Sequence, residues 1–490
     1  MKKAVVIGSG FAGLSAASFM AKAGWKVVLL EKHLMPGGRA RQFSAEGFTF
    51  DMGPSWYWMP DVFDRYFNCF GKKVADYYSL QRLDPSYSVY YPDQKINIPA
   101  DYHALKDLFE SIEKGAASKL DKFLEEAEYK YRVGINKLVH KPGLSVKEFI
   151  DPELAKGLLK LDVFTNMKKH IAKYFHHPQL IQLLEFPVLF LGALPKQIPA
   201  LYSLMNYADM KLGTWYPEGG MYAVVDAMYR LAKESGVEFY FEQNVKSIDT
   251  INARAVSVTT DKAIFDTDIV ISAADYHFTE MKLLKKEDRS YDEQYWNKKI
   301  MAPSALLYYV GLNKKLSNIS HHSLFFDTDF DVHGREIYEK PQWPSEPLFY
   351  VCTPSVTDET VAPAGFENLF FLIPVAAGLE GDTETLRDEY FFKIVKRFEE
   401  RIGEKITDHI IYKKSYAVSD FVNDYNAFRG NAYGLANTLM QTAIMKPSLK
   451  SKKIKNLYYA GQLTVPGPGV PPSLISGEVC AMQALKENGN

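Results

Sequence analysis

The first fifty residues constrain this chain more than any others. Ala4-Val5-Val6-Ile7 is a short apolar strand that runs straight into Gly8-Ser9-Gly10-Phe11-Ala12-Gly13, and a helix of small residues follows from Leu14 to Lys22. A second strand, Lys26 to Leu30, ends on Glu31. Strand, glycines, helix, strand and terminal acid, in that order, bind a dinucleotide. Gly8 permits the tight turn, Gly10 lets a pyrophosphate approach the backbone, and Gly13 lets helix and strand pack closely. Phe11 and Ala12 lie in this turn, and the phosphates sit on the positive end of the helix that follows. Glu31 stands about 20 residues past the glycines, where a carboxylate reaches ribose hydroxyls. A lone Gly-x-Gly-x-x-Gly can be an ordinary glycine turn, and the surrounding elements make that reading poor.

The next segment asks for a longer cofactor than NAD. After Lys32 come Gly37-Gly38-Arg39-Ala40-Arg41 and then Gly47-Phe48-Thr49-Phe50-Asp51-Met52-Gly53-Pro54-Ser55. A plain NAD dehydrogenase needs no second glycine turn with arginines after its ribose acid. FAD continues past the pyrophosphate into ribityl and isoalloxazine, so more backbone must lie close to it. Gly37 and Gly38 allow that approach, and Arg39 can offer a charged fork to phosphate oxygens. The plain alternative for Arg39 and Arg41 is a solvated basic turn. There is no second nucleotide fingerprint, which argues against NAD dependence.

The stretch from Lys3 to Gly53 resembles the flavoprotein superfamily of amine oxidases, protoporphyrinogen oxidases and carotenoid desaturases. Later segments are similar to its carotenoid-desaturase branch, of the bacterial and fungal phytoene-desaturase type. They are Gly213 to Met221 ("GTWYPEGGM"), Pro303 to Leu306, Tyr350 to Asp358, Phe421 to Gln441, and Asn456 to Gly477 ("NLYYAGQLTVPGPGVPPSLISG"). Where that family usually carries an acid or a Thr-His pair, this chain has Gln462 and Leu463. The resemblance implies FAD held also by Val245, Gly461, Gln462, Gly469, Val470 and Pro471, with Val245 meeting the adenine through its backbone. It further implies an α/β fold: a Rossmann-type FAD-binding domain, a discontinuous mixed-sheet substrate domain, and a helical, membrane-facing insertion. The expected division is 1–65, 212–275 and 450–490 for FAD, 66–100 and 276–449 for substrate, and 101–211 for the insertion.

Strands are expected at 236–240, 244–248, 256–260 and 263–272, returning the chain to the nucleotide sheet. Asp101 to Lys137 has helical spacing, with Ser118-Lys119-Leu120-Asp121 as a capping box. Its acidic residues Glu125, Glu126 and Glu128 read as a solvated face. The most apolar run, Phe186 to Pro195, is about half the ~20 residues a membrane span needs. Broken by Pro187, Gly192 and Pro195, it reads either as core or as the mouth of a lipid-entry tunnel resting on a bilayer.

Composition excludes more than it asserts. With 58 basic and 59 acidic residues among 490, charge implies no nucleic-acid partner. Aromatics make up 14 %, which would wall a large hydrophobic ligand or simply fill a core. Cys69, Cys352 and Cys480 are too few and too scattered for a disulfide framework or metal site. The N-terminal strand becomes a cofactor loop and not a signal peptide, so a cytoplasmic protein, peripherally associated with membrane, is expected.

The resemblance implies desaturation of a linear or monocyclic C40 carotenoid, as in phytoene desaturases or 1′-hydroxycarotenoid 3,4-desaturases. Such a substrate is a hydrocarbon without polar handles at the reacting carbons, so the oxidant must be the flavin. Loss of hydride leaves an allylic cation, which water would capture. The chain must therefore supply a dry apolar tunnel and an outlet for a proton. Asp51, Glu218 and the pair His176-His177 are the protein candidates for that outlet, with the flavin or a water as the alternatives. Other readings are an amine or protoporphyrinogen oxidase, a redox-neutral carotenoid isomerase, and a non-catalytic escort protein on the same scaffold. Ser-His-Asp order, a Gly-x-Ser-x-Gly elbow and Cys-x-x-Cys pairs are all missing, so hydrolase and metal chemistry are poor readings.

Overall fold

The computed structural model describes residues 1–149, 161–189 and 191–489. Strand β1 (Lys3–Ile7), helix α1 (Phe11–Lys22) and strand β2 (Lys26–Leu30) form the expected βαβ start. Five strands make a parallel sheet in the order Leu457–Tyr459, Ile269–Ser272, β1, β2, Glu238–Tyr240. Its inner strands are almost wholly apolar because both faces are covered, one by α1 and the C-terminal helix and the other largely by Val245, Ile248, Ala255 and Val258. Helix α1 is buried from Phe11 to Met20. It packs on the C-terminal helix Val470–Asn488 so closely that a Cβ on Gly477 would lie 2.2 Å from the Ala12 carbonyl. That contact explains the small residues of α1.

The strands between Val245 and Asp266 do not join this sheet. Val245–Ile251, Arg254–Thr260 and Ile264–Asp266 form an antiparallel meander of their own, correcting the expectation of one continuous nucleotide sheet. Asn252 and Ala253 both have positive φ, which makes a tight two-residue hairpin. A hairpin of that length can only pair its strands antiparallel; a parallel partner would need a long crossover.

A second, seven-stranded sheet is mixed. Its order is Ile410–Tyr416, Ser304–Leu312, Glu367–Val375, Phe349–Cys352, His322–Phe325, Tyr87–Tyr90, Lys95–Ile98. The one parallel pairing joins His322–Phe325 to Tyr87–Tyr90. Helix Glu384–Ile402 covers one face through Phe391, Ile394, Val395 and Phe398. The other face looks toward the nucleotide sheet, and Tyr309 donates a hydrogen bond to the Met52 carbonyl at 2.7 Å.

Between the sheets' segments lie helices Tyr102–Ile112, Ala116–Val133 and Pro178–Leu189. The expected capping box is displaced. Ser118 lies inside a helix, and Asp101 caps the preceding one by accepting from the Ala104 N–H. Chain reversal at Gly115 in the left-handed region splits the single expected helix. Glu125 and Glu126 are exposed, as a solvated face requires. The apolar run from Phe186 is core: Phe186, Val188, Leu191, Ala193 and Leu194 are all buried. Phe190 and part of the expected insertion (150–160) lie outside the described residues. No helix among the described residues is long and apolar enough to cross a membrane.

Candidate functional site

A long cleft opens at the carboxyl end of β1, where the two sheets face each other. Its floor is the turn into α1. Gly13 is forced there: a Cβ would fall 1.8 Å from the Gly8 carbonyl oxygen. The second glycine turn lies directly on the first. Gly37 has φ 121° and donates its N–H to the Ser9 carbonyl at 2.9 Å, a conformation that side chains resist.

Glu31 is buried at one end of the cleft. Its Oε2 accepts from the Ser9 N–H at 2.9 Å and the Ser9 hydroxyl at 2.6 Å, and its Oε1 accepts from the His33 N–H at 3.0 Å. Its backbone carbonyl accepts from the Gln243 N–H at 2.8 Å, which brings Gln243, Asn244 and Val245 to the same end. Lys32 lines the cleft and donates to the Asn423 carbonyl at 2.9 Å.

Arg39 lies at the middle. One guanidinium nitrogen donates to the Asn431 carbonyl at 3.2 Å, and the group sits 5.2 Å from the Tyr425 ring. Its Nε is buried without a partner among the described residues. Arg41, by contrast, is a structural tie, pairing with Asp424 at 2.9 Å and donating to the Gly38 carbonyl. Gln462 and Leu463 stand where an acid or a Thr-His pair is expected. With the Gln462 amide turned to satisfy both ends, its oxygen accepts from Arg39 at 3.0 Å and its nitrogen donates to the Ala432 carbonyl at 3.3 Å.

The structure gathers Gly8, Gly10, Phe11, Ala12, Glu31, Lys32, Gly38, Arg39, Gly53, Pro54, Val245, Gly461, Gln462, Gly469 and Val470 along this one cleft. It does not place Gly13, Ser55 or Pro471 on its surface. Gly13 packs behind Gly8, and Ser55 hydrogen-bonds the Tyr350 hydroxyl at 2.9 Å. Pro471 sits in the first turn of the last helix. Sequence reasoning missed His33, Asp275, Phe421, Tyr425 and Tyr433, all on the cleft. The Phe421–Gln441 segment was visible as a similarity, but nothing local in it marks a cofactor wall.

The proton-acceptor candidates fall elsewhere. Asp51 caps the helix Met221–Glu234, accepting from the Met221 and Tyr222 N–H groups at 2.6 and 3.2 Å. Burial pushes its carboxyl up to about 7, against the pull of those two N–H groups. It lies off the cleft, in a small adjoining pocket with His321 and Cys352. Glu218 is exposed. His176 and His177 both give their backbone N–H to Glu113, at 2.8 and 2.9 Å, and mark a loop anchor.

Among the described residues, two groups bring three metal-type ligand atoms within 4.8 Å of one another. In the first, His321 and His322 are tied through Nδ1 to Thr357 and Tyr350. Burial pushes the Cys352 thiol up to about 12, which opposes the thiolate a metal needs. In the second, around Asp162 and His170, the Lys130 ammonium stands 3.0 Å from Asp162 and already supplies the cation.

The cleft fits a dinucleotide that carries a further ring system. Gly10 offers open space, with nothing within 4 Å of where a Cβ would be. No side chain caps the start of α1, so its N–H groups are left to an anion. Arg39 Nε is an unused buried donor between the two ends. Beyond it Ala305, Leu307 and Leu372 of the mixed sheet give an apolar wall. Fold and cleft together define a dinucleotide-binding protein with room for a second, apolar-walled ring system.

Comparison with known proteins narrows the class. Residues 11–485 match the model of the flavin-containing amine oxidoreductase family. The chain is 41 % identical to a carotenoid 3,4-desaturase of Haloarcula japonica, covering 99 % of this chain and 98 % of that protein. It is 29 % identical to a zeta-carotene-forming phytoene desaturase of Myxococcus xanthus, over 98 % and 93 %. An oxidoreductase structure from Methanosarcina mazei superposes with a TM-score of 0.63 at 17 % identity, over 99 % of this chain and all of that one, and shows the shared fold. The chain belongs to the flavin-containing amine oxidoreductase family, in its carotenoid-desaturase branch.

Proposed function

We propose that this protein is an FAD-dependent carotenoid desaturase, introducing C=C bonds into a linear or monocyclic C40 carotenoid. The observation that carries the reading is 41 % identity along the whole length of a carotenoid 3,4-desaturase. Higher identity there than to the phytoene desaturase of Myxococcus xanthus favours a 3,4-desaturation at one end group. FAD supplies the two-electron oxidant that a hydrocarbon substrate requires. Glu31 would receive the ribose hydroxyls, Val245 the adenine, and the start of α1 with Arg39 the pyrophosphate. Gly53, Pro54, Gly469 and Val470 would flank the ring system.

The strands of residues 1–65, 212–275 and 450–490 form the FAD-binding domain, 66–100 and 276–449 the substrate domain, and 101–211 a helical insertion. Support comes from sheet membership: the five parallel strands fall in the first set and the seven mixed strands in the second.

Attachment to a bilayer is peripheral, on the cytoplasmic side. The membrane-facing surface is not the buried run from Phe186 but the exposed apolar side chains Leu439, Met440, Ile444 and Met445. Leu144 joins them, since a Cβ on its neighbour Gly143 would lie 3.6 Å from the Ala443 carbonyl. Apolar exposure of that kind suits a lipid surface. Met440→Glu is expected to weaken co-sedimentation with liposomes several-fold without altering the melting temperature.

The reading is tested by expressing the protein in cells that accumulate phytoene, lycopene or 1′-hydroxy-γ-carotene, and separating the pigments by chromatography. A new, red-shifted product in one strain supports it and names the substrate. Unchanged pigments in all three, from soluble flavin-loaded protein, would refute it.

A further inference from the structure

Desaturation releases a proton, and the acids near the cleft are all engaged. Both carboxylate oxygens of Glu31 accept hydrogen bonds. Asp275 accepts from the Phe278 and Phe428 N–H groups. Asp424 is paired with Arg41, and Asp51 caps a helix.

Among the described residues, the amine of Lys446 is a buried basic group with no hydrogen-bond partner. Thr464, Gly469 and Val470 line the cleft, and Gly467 lies within that loop. A Cβ on Gly467 would stand 3.2 Å from Lys446 Nζ and 3.0 Å from Asn437 Oδ1. Lys446 and Asn437 are only 5 % and 3 % exposed. Neither Lys446 Nζ nor Asn437 Oδ1 has a hydrogen-bond partner among the described residues. An unpaired buried ammonium is costly, so a lysine so placed tends to lose its proton. Burial, and then the like charge of Lys299, push this amine down to about 7. Lys446 also directly follows the exposed apolar Ile444 and Met445. Its amine thus reaches the loop that flanks the ring system, while its chain neighbours face the surface from which a lipid-borne substrate would arrive.

We infer that Lys446 is the proton acceptor of the desaturation, with Asn437 holding the ammonium that forms. This rests on the carotenoid-desaturase reading above. One C–H bond of the substrate breaks with its electron pair passing as hydride to the flavin, which is reduced. The neighbouring C–H bond breaks with its proton going to Nζ of Lys446 and its electron pair becoming the C=C π bond. The ammonium then returns its proton to water. An amine must be neutral to accept, so the rate should rise as pH increases through about 7 and level off above it.

Lys446→Met preserves the volume and removes the base; Lys446→Arg keeps a charge that cannot be shed. The test is anaerobic flavin reduction in liposomes, from pH 5.5 to 9, by whichever of phytoene, lycopene and 1′-hydroxy-γ-carotene reduces the wild-type flavin. Loss of a general base predicts a fall of ~100-fold or more in both variants, and loss of the rising limb. Without substrate, the oxidised flavin spectrum of the wild type should shift with a midpoint near 7, and that of Lys446→Met should not. Flavin content and melting temperature of Lys446→Met are expected to match or exceed the wild type. Wild-type rate and pH profile in Lys446→Met would overturn the assignment while leaving the desaturase reading intact. Failure of all three carotenoids to reduce the wild-type flavin would overturn both.

Discussion

At the turn from β1 into α1 the cleft wall is backbone, and at Gly13 even one added carbon would strike the Gly8 carbonyl. Across the cleft the wall is side chain: Ala305, Leu307, Leu372 and Tyr433, carried in from three separate segments. The first wall works by what it lacks, so that phosphates can reach N–H groups. The second works by filling space against a flat apolar ligand. The first should therefore fail abruptly on substitution, and the second should yield by degrees.

The largest effect is expected from Gly13→Val. The overpacking should cost about 3 kcal/mol or more and abolish flavin retention, read as the ratio of visible to ultraviolet absorbance and as the melting temperature. Next is Arg39→Met. Loss of a buried charged donor should weaken FAD by about 2–3 kcal/mol, ~30- to 150-fold, in a fluorescence titration, with the apoprotein melting little changed.

Glu185 belongs to neither wall, so its removal shows what a buried acid costs apart from the cleft. Its carboxyl is buried with Oε1 unpartnered among the described residues, and burial pushes it up to about 7. A carboxyl raised in the folded state leaves stability intact below its ordinary value near 4.5 and takes it away as pH rises through about 7. Glu185→Gln should therefore melt like the wild type at pH 4.5 and higher at pH 8, by at most ~3 kcal/mol. The smallest effect is expected from Leu307→Val on the apolar wall: about 1 kcal/mol of stability and less than threefold in FAD affinity. An abrupt loss of FAD in Leu307→Val, or a tolerant Gly13→Val, would break the comparison.

The same contrast explains what could be read from the residues alone. Gly8, Gly10, Gly13 and Glu31 act within about 25 residues of one another, so their spacing carries their role. The opposite wall depends on strand register and long-range packing, which spacing does not encode. Asp51 looked like a reactive acid because its partners, the N–H groups of Met221 and Tyr222, lie far along the chain. The strands at Val245 and Arg254 had the right period, but period does not say which sheet a strand joins. Phe186 to Pro195 left both a core and a membrane-mouth reading open, with core favoured by its short length, and burial of its described side chains is a tertiary fact. Lys446 sits in an otherwise unremarked run before the last strand, and only the fold brings its amine to Gly467.

The central claim is that a carotenoid delivers its electrons to a flavin held in this cleft. Anaerobic single-turnover mixing of the FAD-loaded protein with 1′-hydroxy-γ-carotene or lycopene in liposomes measures that transfer. Flavin absorbance and the polyene spectrum would be followed together, with the product weighed by mass spectrometry. The account predicts bleaching of the flavin in step with a red-shifted polyene that has lost two hydrogens. A polyene that changes at constant mass while the flavin stays oxidised would contradict it.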